Sequence, residues 1–183
     1  MEEVLKRLVN RNEYFRMAEV GILSPDDRLE LLNGEIYEMS PVGSRHSSVV
    51  KKITKIIHDL SLSDVIVGVQ DPISFDEYNE PEPDISVVKY RSDYYAKHHP
   101  QPKDTLFLIE VADSSISFDM EIKLPLYAQH NIPEYWIIDL KAERILIFKE
   151  ASNGKYIHQY TRNANDEVLL LGKTVEVSEI LNL

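Results

Sequence analysis

Apolar and polar positions along this chain recur with two different periods, and the changes of period mark its elements. Tyr14, Phe15, Met17, Ala18 and Val20 form an approximate helical stripe over about residues 12–20, which Gly21 and Pro25 end. Leu29, Leu31 and Leu32 precede Asn33-Gly34, and Ile36, Tyr37 and Met39 follow, a pattern that predicts a hairpin because both turn residues tolerate positive φ. Glu30 and Glu35 flank that turn and read as exposed strand residues. Ser44 is placed to cap a second helix running to about residue 60, with Val49, Val50, Ile53, Ile56, Ile57 and Leu60 at three- and four-residue intervals. Its other face carries Lys51, Lys52, Lys55 and His58.

Short β-branched runs then take over, predicting strands at about 65–69, 73–75, 85–88 and 106–111. Residues 91–103 predict a short helix and an irregular loop, in which His98 and His99 read as a solvated pair. A third helix over about 117–130 offers Ile122, Leu126 and Tyr127 as its buried side, kinked at Pro125 and stopped by Asn131 and Pro133. Strands follow at about 135–140 and 144–148, with Tyr135 and Trp136 read as core residues. Asn153-Gly154 marks a second hairpin into 156–160. One or two short strands over about 168–171 and 174–177 and a helical turn at 178–181 close the chain. The sum is an α/β (α+β) architecture, a mixed sheet flanked by a few helices.

Composition narrows the chemistry. With 183 residues, 43% of them apolar, one domain spanning 1–183 is expected. The absence of cysteine excludes disulfides, thiolate metal sites and a catalytic thiol. The N-terminus carries no apolar signal region, and no run approaches the roughly 18 apolar residues of a membrane helix, so a cytoplasmic location away from membranes is expected. A net charge of −11 runs against the basic surface usual in nucleic-acid binders, unless a local face formed by Arg45, Lys51, Lys52 and Lys55 guides phosphates.

Against that background, three groups stand out. Asp84 follows Pro83 and opens the run Ile85-Ser86-Val87-Val88, Glu110 interrupts the run from Leu106 to Val111, and Asp119 and Lys123 lie four apart on a predicted helix. Acids delivered by neighbouring strands can share a divalent cation, and Mg²⁺ accepts one or two carboxylates while keeping its waters. A charge inside so apolar a strand as that of Glu110 is costly without a cationic partner. A lysine nearby can position water or offset the charge that develops on a phosphodiester. The bland alternatives are a turn cap at Asp84 and a helix-surface pair between Asp119 and Lys123 worth about 0.3–0.5 kcal/mol. Glycoside hydrolysis by paired carboxylates gives Lys123 no required role.

Taken in order, these residues resemble the Uma-type family of the PD-(D/E)XK nuclease superfamily. The resemblance covers nearly the whole chain: the segment from Arg28 to Pro41, His46, Pro83-Asp84, Ile109-Glu110-Val111, Asp119 with Lys123 and Tyr127, and Ile132 to Asp139. It implies a restriction-endonuclease-like core with added β-hairpins, Asp84 and Glu110 as Mg²⁺ ligands with Mn²⁺ as a substitute, and the Val111 carbonyl as a third ligand. The superfamily's lysine stands two residues after the second acid, where this chain has Ala112, so Lys123 inherits that role from the next helix. Glu30 looks like the upstream acid of some superfamily members, and His46 like a group that binds phosphate or water, with Arg45 and Lys51 beside it. The function so implied is a Mg²⁺-dependent endonuclease cutting DNA, with catalytic residues Asp84, Glu110, Lys123 and Glu30. A homodimer suits the cutting of both strands of a duplex. The alternative is an inactive nuclease-fold binding or assembly module, which Ala112 and the acidic charge favour.

Overall fold

The computed structural model describes residues 5–24 and 26–183; Pro25, expected to help end the first helix, lies outside the described residues, as do residues 1–4. Helix α1 (Arg11–Glu19) starts on a capping box in which Asn10 Oδ1 accepts from the Glu13 N–H at 2.9 Å and Glu13 Oε2 accepts from the Asn10 N–H at 3.0 Å. Strands β1 (Leu29–Leu32) and β2 (Glu35–Glu38) form the expected hairpin, closed by Asn33 and Gly34 with φ of 52° and 74°. Helix α2 (Ser44–Asp59) buries the predicted stripe from Val49 to Ile57. Its cap is Gly43 rather than Ser44, which is already helical, so the first turn gains no side-chain cap.

Beyond α2 the chain builds one six-stranded sheet: β3 (Val65–Gly68), β4 (Ile85–Lys89), β5 (Thr105–Ala112), β6 (Glu134–Asp139), β7 (Arg144–Ser152) and β8 (Lys155–Asn163), adjacent in that order. All neighbours are antiparallel except β5 and β6. A parallel pair needs a crossover, and this one is helical: α3 (Ile116–Phe118), a π-helical turn (Asp119–Lys123), then α4 (Leu124–Gln129). The predicted third helix is therefore not one α-helix kinked at Pro125. The widening precedes the proline, with the Leu124 N–H reaching back five residues to the Asp119 carbonyl, and Pro125 sits in the first turn of α4, where its missing N–H costs least.

The expected strand at 73–75 is absent. Its N–H groups go instead to the Pro81, Pro100 and Asn79 carbonyls, which leaves an irregular segment tied to two separate loops. In the 91–103 segment only Pro102–Asp104 is helical, as a 3₁₀ turn, and His98 and His99 are exposed as expected. A small hairpin of β9 (Glu167–Leu170) and β10 (Lys173–Glu176) precedes helix α5 (Val177–Leu181).

Alternation assigns the two faces of the sheet. Phe107, Ile109 and Val111 of β5 pack with α2, α5, Trp136, Ile138, Ile145 and Ile147 on one side. Leu108 and Ala112 face the other side with Tyr135, Ile137, Leu146, Phe148 and the α4 residues Leu126 and Tyr127. Glu110, between Leu108 and Ala112 in the alternation, therefore points beneath the crossover. Among the described residues no helix is long and apolar enough to cross a membrane.

Two buried features are exposed to test. A Cβ added at Gly34 would stand 2.6 Å from Leu8 Cβ, at a φ that side chains rarely adopt. Gly34→Ala is expected to cost about 1–3 kcal/mol in urea unfolding. Glu80 is buried, accepts from Ser74 Oγ at 2.8 Å, and has one carboxylate oxygen without a hydrogen bond, Arg11 standing 3.8 Å away. Burial pushes its carboxyl up, with Ser74, His99 and Arg11 only partly opposing the shift. The folded state thus holds this proton more tightly than the unfolded chain, and stability falls as pH rises from the ordinary carboxylate range through the raised value. Glu80→Gln is expected to lift the melting temperature at pH 7 by roughly 2–4 °C and to leave it nearly unchanged at pH 4.

Candidate active site

Asp84 sits immediately before β4, where its carbonyl accepts the Gln70 N–H at 3.2 Å and its side chain turns toward the end of β5. Its Oδ2 accepts the Val111 N–H at 2.9 Å and meets His46 Nε2 at 2.9 Å; its Oδ1 accepts Gln70 Nε2 at 3.1 Å. Glu110 stands across from it, with Oε2 3.4 Å from the Asp84 N–H. Because β4 pairs with β5 only from Ile85↔Ile109, the two acids occupy the place where that ladder stops. A residue's N–H and C=O point to the same side of an extended strand, so the Val111 carbonyl is also directed toward Asp84.

The crossover supplies the cation. Lys123 Nζ lies 3.0 Å from Glu110 Oε1 and 3.1 Å from Glu30 Oε2, and the Tyr127 hydroxyl donates to the same Glu110 Oε1 at 2.9 Å. Lysine and tyrosine thus converge on one oxygen and leave Oε2 turned to Asp84. Asp119 does not form with Lys123 the helix-surface pair that stood as the bland alternative; its Oδ2 accepts from Ser115 Oγ at 2.7 Å. Both residues lie in the π-helical turn, and both are buried. None of Glu30, Asp84, Glu110, Asp119 and Lys123 is more than 8% exposed. Glu30 was expected on an open strand face; in fact Glu30, Leu31 and Leu32 are all buried, because one side of β1 meets the core and the other meets Lys123.

Charge in this cluster is unbalanced. Burial would lift the Asp84 carboxyl, but the donors from His46, Val111 and Gln70 outweigh it and hold Asp84 below the usual range. Glu110 is pushed well above its ordinary value by burial, against the pull of Lys123 and with the repulsion of Asp84, Asp119 and Glu30. Asp119 is raised to about 6 by burial, partly opposed by Lys123 and Ser115. Burial works against the Lys123 ammonium, yet Glu110, Glu30 and Asp119 together raise its pKa. Lys123 is charged: one ammonium serves more carboxylates than it can neutralise, and Glu110 bears the deficit.

A bound cation would offset that deficit. Asp84, Glu110 and the Val111 carbonyl are hard oxygen donors meeting at one strand end, short of positive charge. Among the described residues no group of three or more His, Cys, Asp or Glu side chains is placed to hold a metal. The donor set is instead the sparse one, two carboxylates and a carbonyl, that Mg²⁺ completes with water.

The cleft above these groups measures about 340 Å³ and runs between residues 39–43 and 113–118. Of the residues expected at the site, Glu30, His46, Asp84, Glu110, Val111 and Lys123 line it, whereas Arg45 and Lys51 do not. Arg45 pairs with Glu143 at 3.2 Å and Lys51 is exposed on α2. Lys52 and Lys55 are also paired, with Glu179 and Asp59, so most of the expected basic face is neutralised locally. Three side chains enter that site reasoning had not included: Gln70 and Tyr127, which bond the two acids, and Glu82, which lines the cleft. Tyr127 had a signal, four residues after Lys123 on the buried side of its helix; Gln70, in a loop at φ 55°, had none.

Comparison with known proteins bears on the fold and the family. No curated protein sequence matches the chain. A crystal structure described as a putative nuclease belonging to DUF820, from Anabaena variabilis ATCC 29413, is similar in fold, with a TM-score of 0.68 at 11% sequence identity, covering 95% of this chain and 98% of that one. The model of the Uma2 family, described as "putative restriction endonuclease", matches residues 11–181. The chain belongs to the Uma2 family.

Proposed function

We propose that this protein is a Mg²⁺-dependent endonuclease acting on DNA. The observation that carries the reading is the convergence of Asp84, Glu110 and Lys123 in one buried cleft from a strand start, a strand end and a crossover helix. Hydrolysis of a phosphodiester requires an activated water, an offset for the negative charge of the transition state, and help for the leaving oxygen. Asp84, Glu110 and the Val111 carbonyl are the groups that would hold the metal, which supplies Lewis acidity and charge when bound.

The chain's own contribution is orientation and a fixed positive charge. Gln70, His46 and the Val111 N–H fix both oxygens of Asp84, so the carboxylate is held without relying on the metal. Lys123 and Tyr127 fix one oxygen of Glu110 in the same way. Flanked by Glu30 and Glu110, Lys123 remains an ammonium and acts by charge rather than by taking a proton. Glu30 assists by anchoring that ammonium over the acids.

Plasmid cleavage with purified protein tests the reading. Wild type is expected to nick plasmid with Mg²⁺ and to stop with a chelator. Asp84→Ala and Lys123→Ala are expected to lose on the order of 10²–10³ in rate. Tyr127→Phe, which removes a positioning donor only, is expected to lose about tenfold. Because Lys123→Ala also leaves two buried carboxylates unpaired, a stability loss of about 3–5 kcal/mol accompanies it, read by circular dichroism melting. Equal activity in wild type and all variants would expose a contaminant. Calorimetry showing no Mg²⁺ or Mn²⁺ binding that depends on Asp84 and Glu110 would favour the binding-module alternative.

A further inference from the structure

We infer that the cleft accepts a single nucleic-acid strand, such as an unpaired stretch, end or flap, in preference to an intact duplex. The inference rests on the nuclease reading and names its substrate more closely. It starts from depth. Asp84 and Glu110 are 8% and 4% exposed, at the floor of a cleft of about 340 Å³, the small end of the range that holds one drug-sized molecule. The walls converge: a Cβ at Gly43 would stand 3.8 Å from Asp113 Oδ2, so the loop after β2 and the loop after β5 approach to within one side-chain atom of contact. A duplex is stiff over about 150 base pairs and presents each phosphate flanked by its neighbours and by the opposite strand. Those neighbours meet the walls before the scissile phosphate reaches the floor. A single strand turns freely about its backbone and can carry one phosphate down.

Charge points the same way. Duplex binding draws on many phosphate contacts by lysine and arginine, and this surface has few to give. Seven acidic side chains line the cleft against Arg28, His46 and Lys123. Lys123 is held by Glu30 and Glu110, and His46 by Asp84. Arg28, which donates to the Ser40 carbonyl at 2.8 Å, is the lining cation without a carboxylate partner among the described residues. The upper walls are instead apolar and aromatic, formed by Met39, Pro41, Val42, Tyr37 and Phe118, the last two in edge-to-face contact at 5.0 Å. Such side chains receive the faces of unpaired bases, which a duplex keeps stacked. This substrate also removes the reason for two-fold pairing that cutting both strands of a duplex supplied.

Three end-labelled DNA substrates of one sequence provide the test: a single strand, a blunt duplex, and a duplex with an internal unpaired loop. With Mg²⁺, kcat/KM on the single strand and on the loop is expected to exceed that on the duplex at least tenfold. Binding by Asp84→Asn, followed by fluorescence anisotropy, is expected to show the same preference with a shallow salt dependence, a log–log slope of about −0.7 for one contacted phosphate. Val42→Lys, which adds a cation to the wall, is expected to steepen that slope by about 0.7. Equal or faster cleavage of the duplex, or an Asp84→Asn slope steeper than about −3, would overturn the inference, and an unchanged slope on adding Val42→Lys to that variant would overturn the route along that wall. If wild type cleaves none of the three while the binding preference persists, the nuclease reading fails and the strand preference stands; without cleavage or preference, both fail.

Discussion

The Lys123 ammonium, buried between Glu30 and Glu110, ties together three parts of the chain that are remote in sequence: the β1–β2 hairpin, the end of β5 and the crossover to β6. Each of these carries a group that is expensive to bury alone. Two carboxylates and one ammonium removed from water together exchange that cost for mutual attraction and hydrogen bonds, which only close geometry makes sufficient. The hairpin must therefore pack where Glu30 reaches Lys123, and the crossover must widen into a π-helical turn where Lys123 reaches Glu110. The Tyr127 hydroxyl, on the same Glu110 oxygen, completes the arrangement from the following helix.

The same interaction leaves the site electrically unfinished. One ammonium is shared among Glu30, Glu110 and Asp119, while Asp84 is stabilised from the other side by His46, Gln70 and the Val111 N–H. The result is asymmetric: Asp84 keeps its charge readily, and Glu110 keeps its charge at a cost. On the proposed reading, a divalent cation would offset this imbalance without needing a full protein cage. Its acidity also sets what approaches it, since the cations that a phosphate-rich surface would require are paired with Glu143, Glu179 and Asp59 on α2 and its surroundings.

Much of this was legible before any coordinates. The period of two in β5 places Glu110 opposite Ile109 and Val111, and the stripe in α2 places its lysines outward; both hairpins follow from Asn-Gly pairs that sit at positive φ. Residues 73–75 show the limit. Their apolar pattern suits a strand, but their N–H groups find loop carbonyls, and a pattern of three residues holds too little to outweigh such partners. Glu30 shows another limit: alternation correctly turns it away from Leu31, yet the side it turns to is not solvent.

The sequence by itself determined most of the elements, the buried faces of α2 and the central strands, and the pairing of Asp84 with Glu110 as acids at the ends of neighbouring apolar runs. Those properties are local, since the backbone period decides which way a side chain points from its own strand or helix. Only the tertiary structure decided that Lys123 bonds Glu110 and Glu30 rather than Asp119, that Glu30 is buried, and that Arg45 is spent on Glu143. Those are properties of what lies opposite each side chain, and the right-hand partner of a charge is chosen by the path of the crossover and the packing beneath it, which no local period encodes.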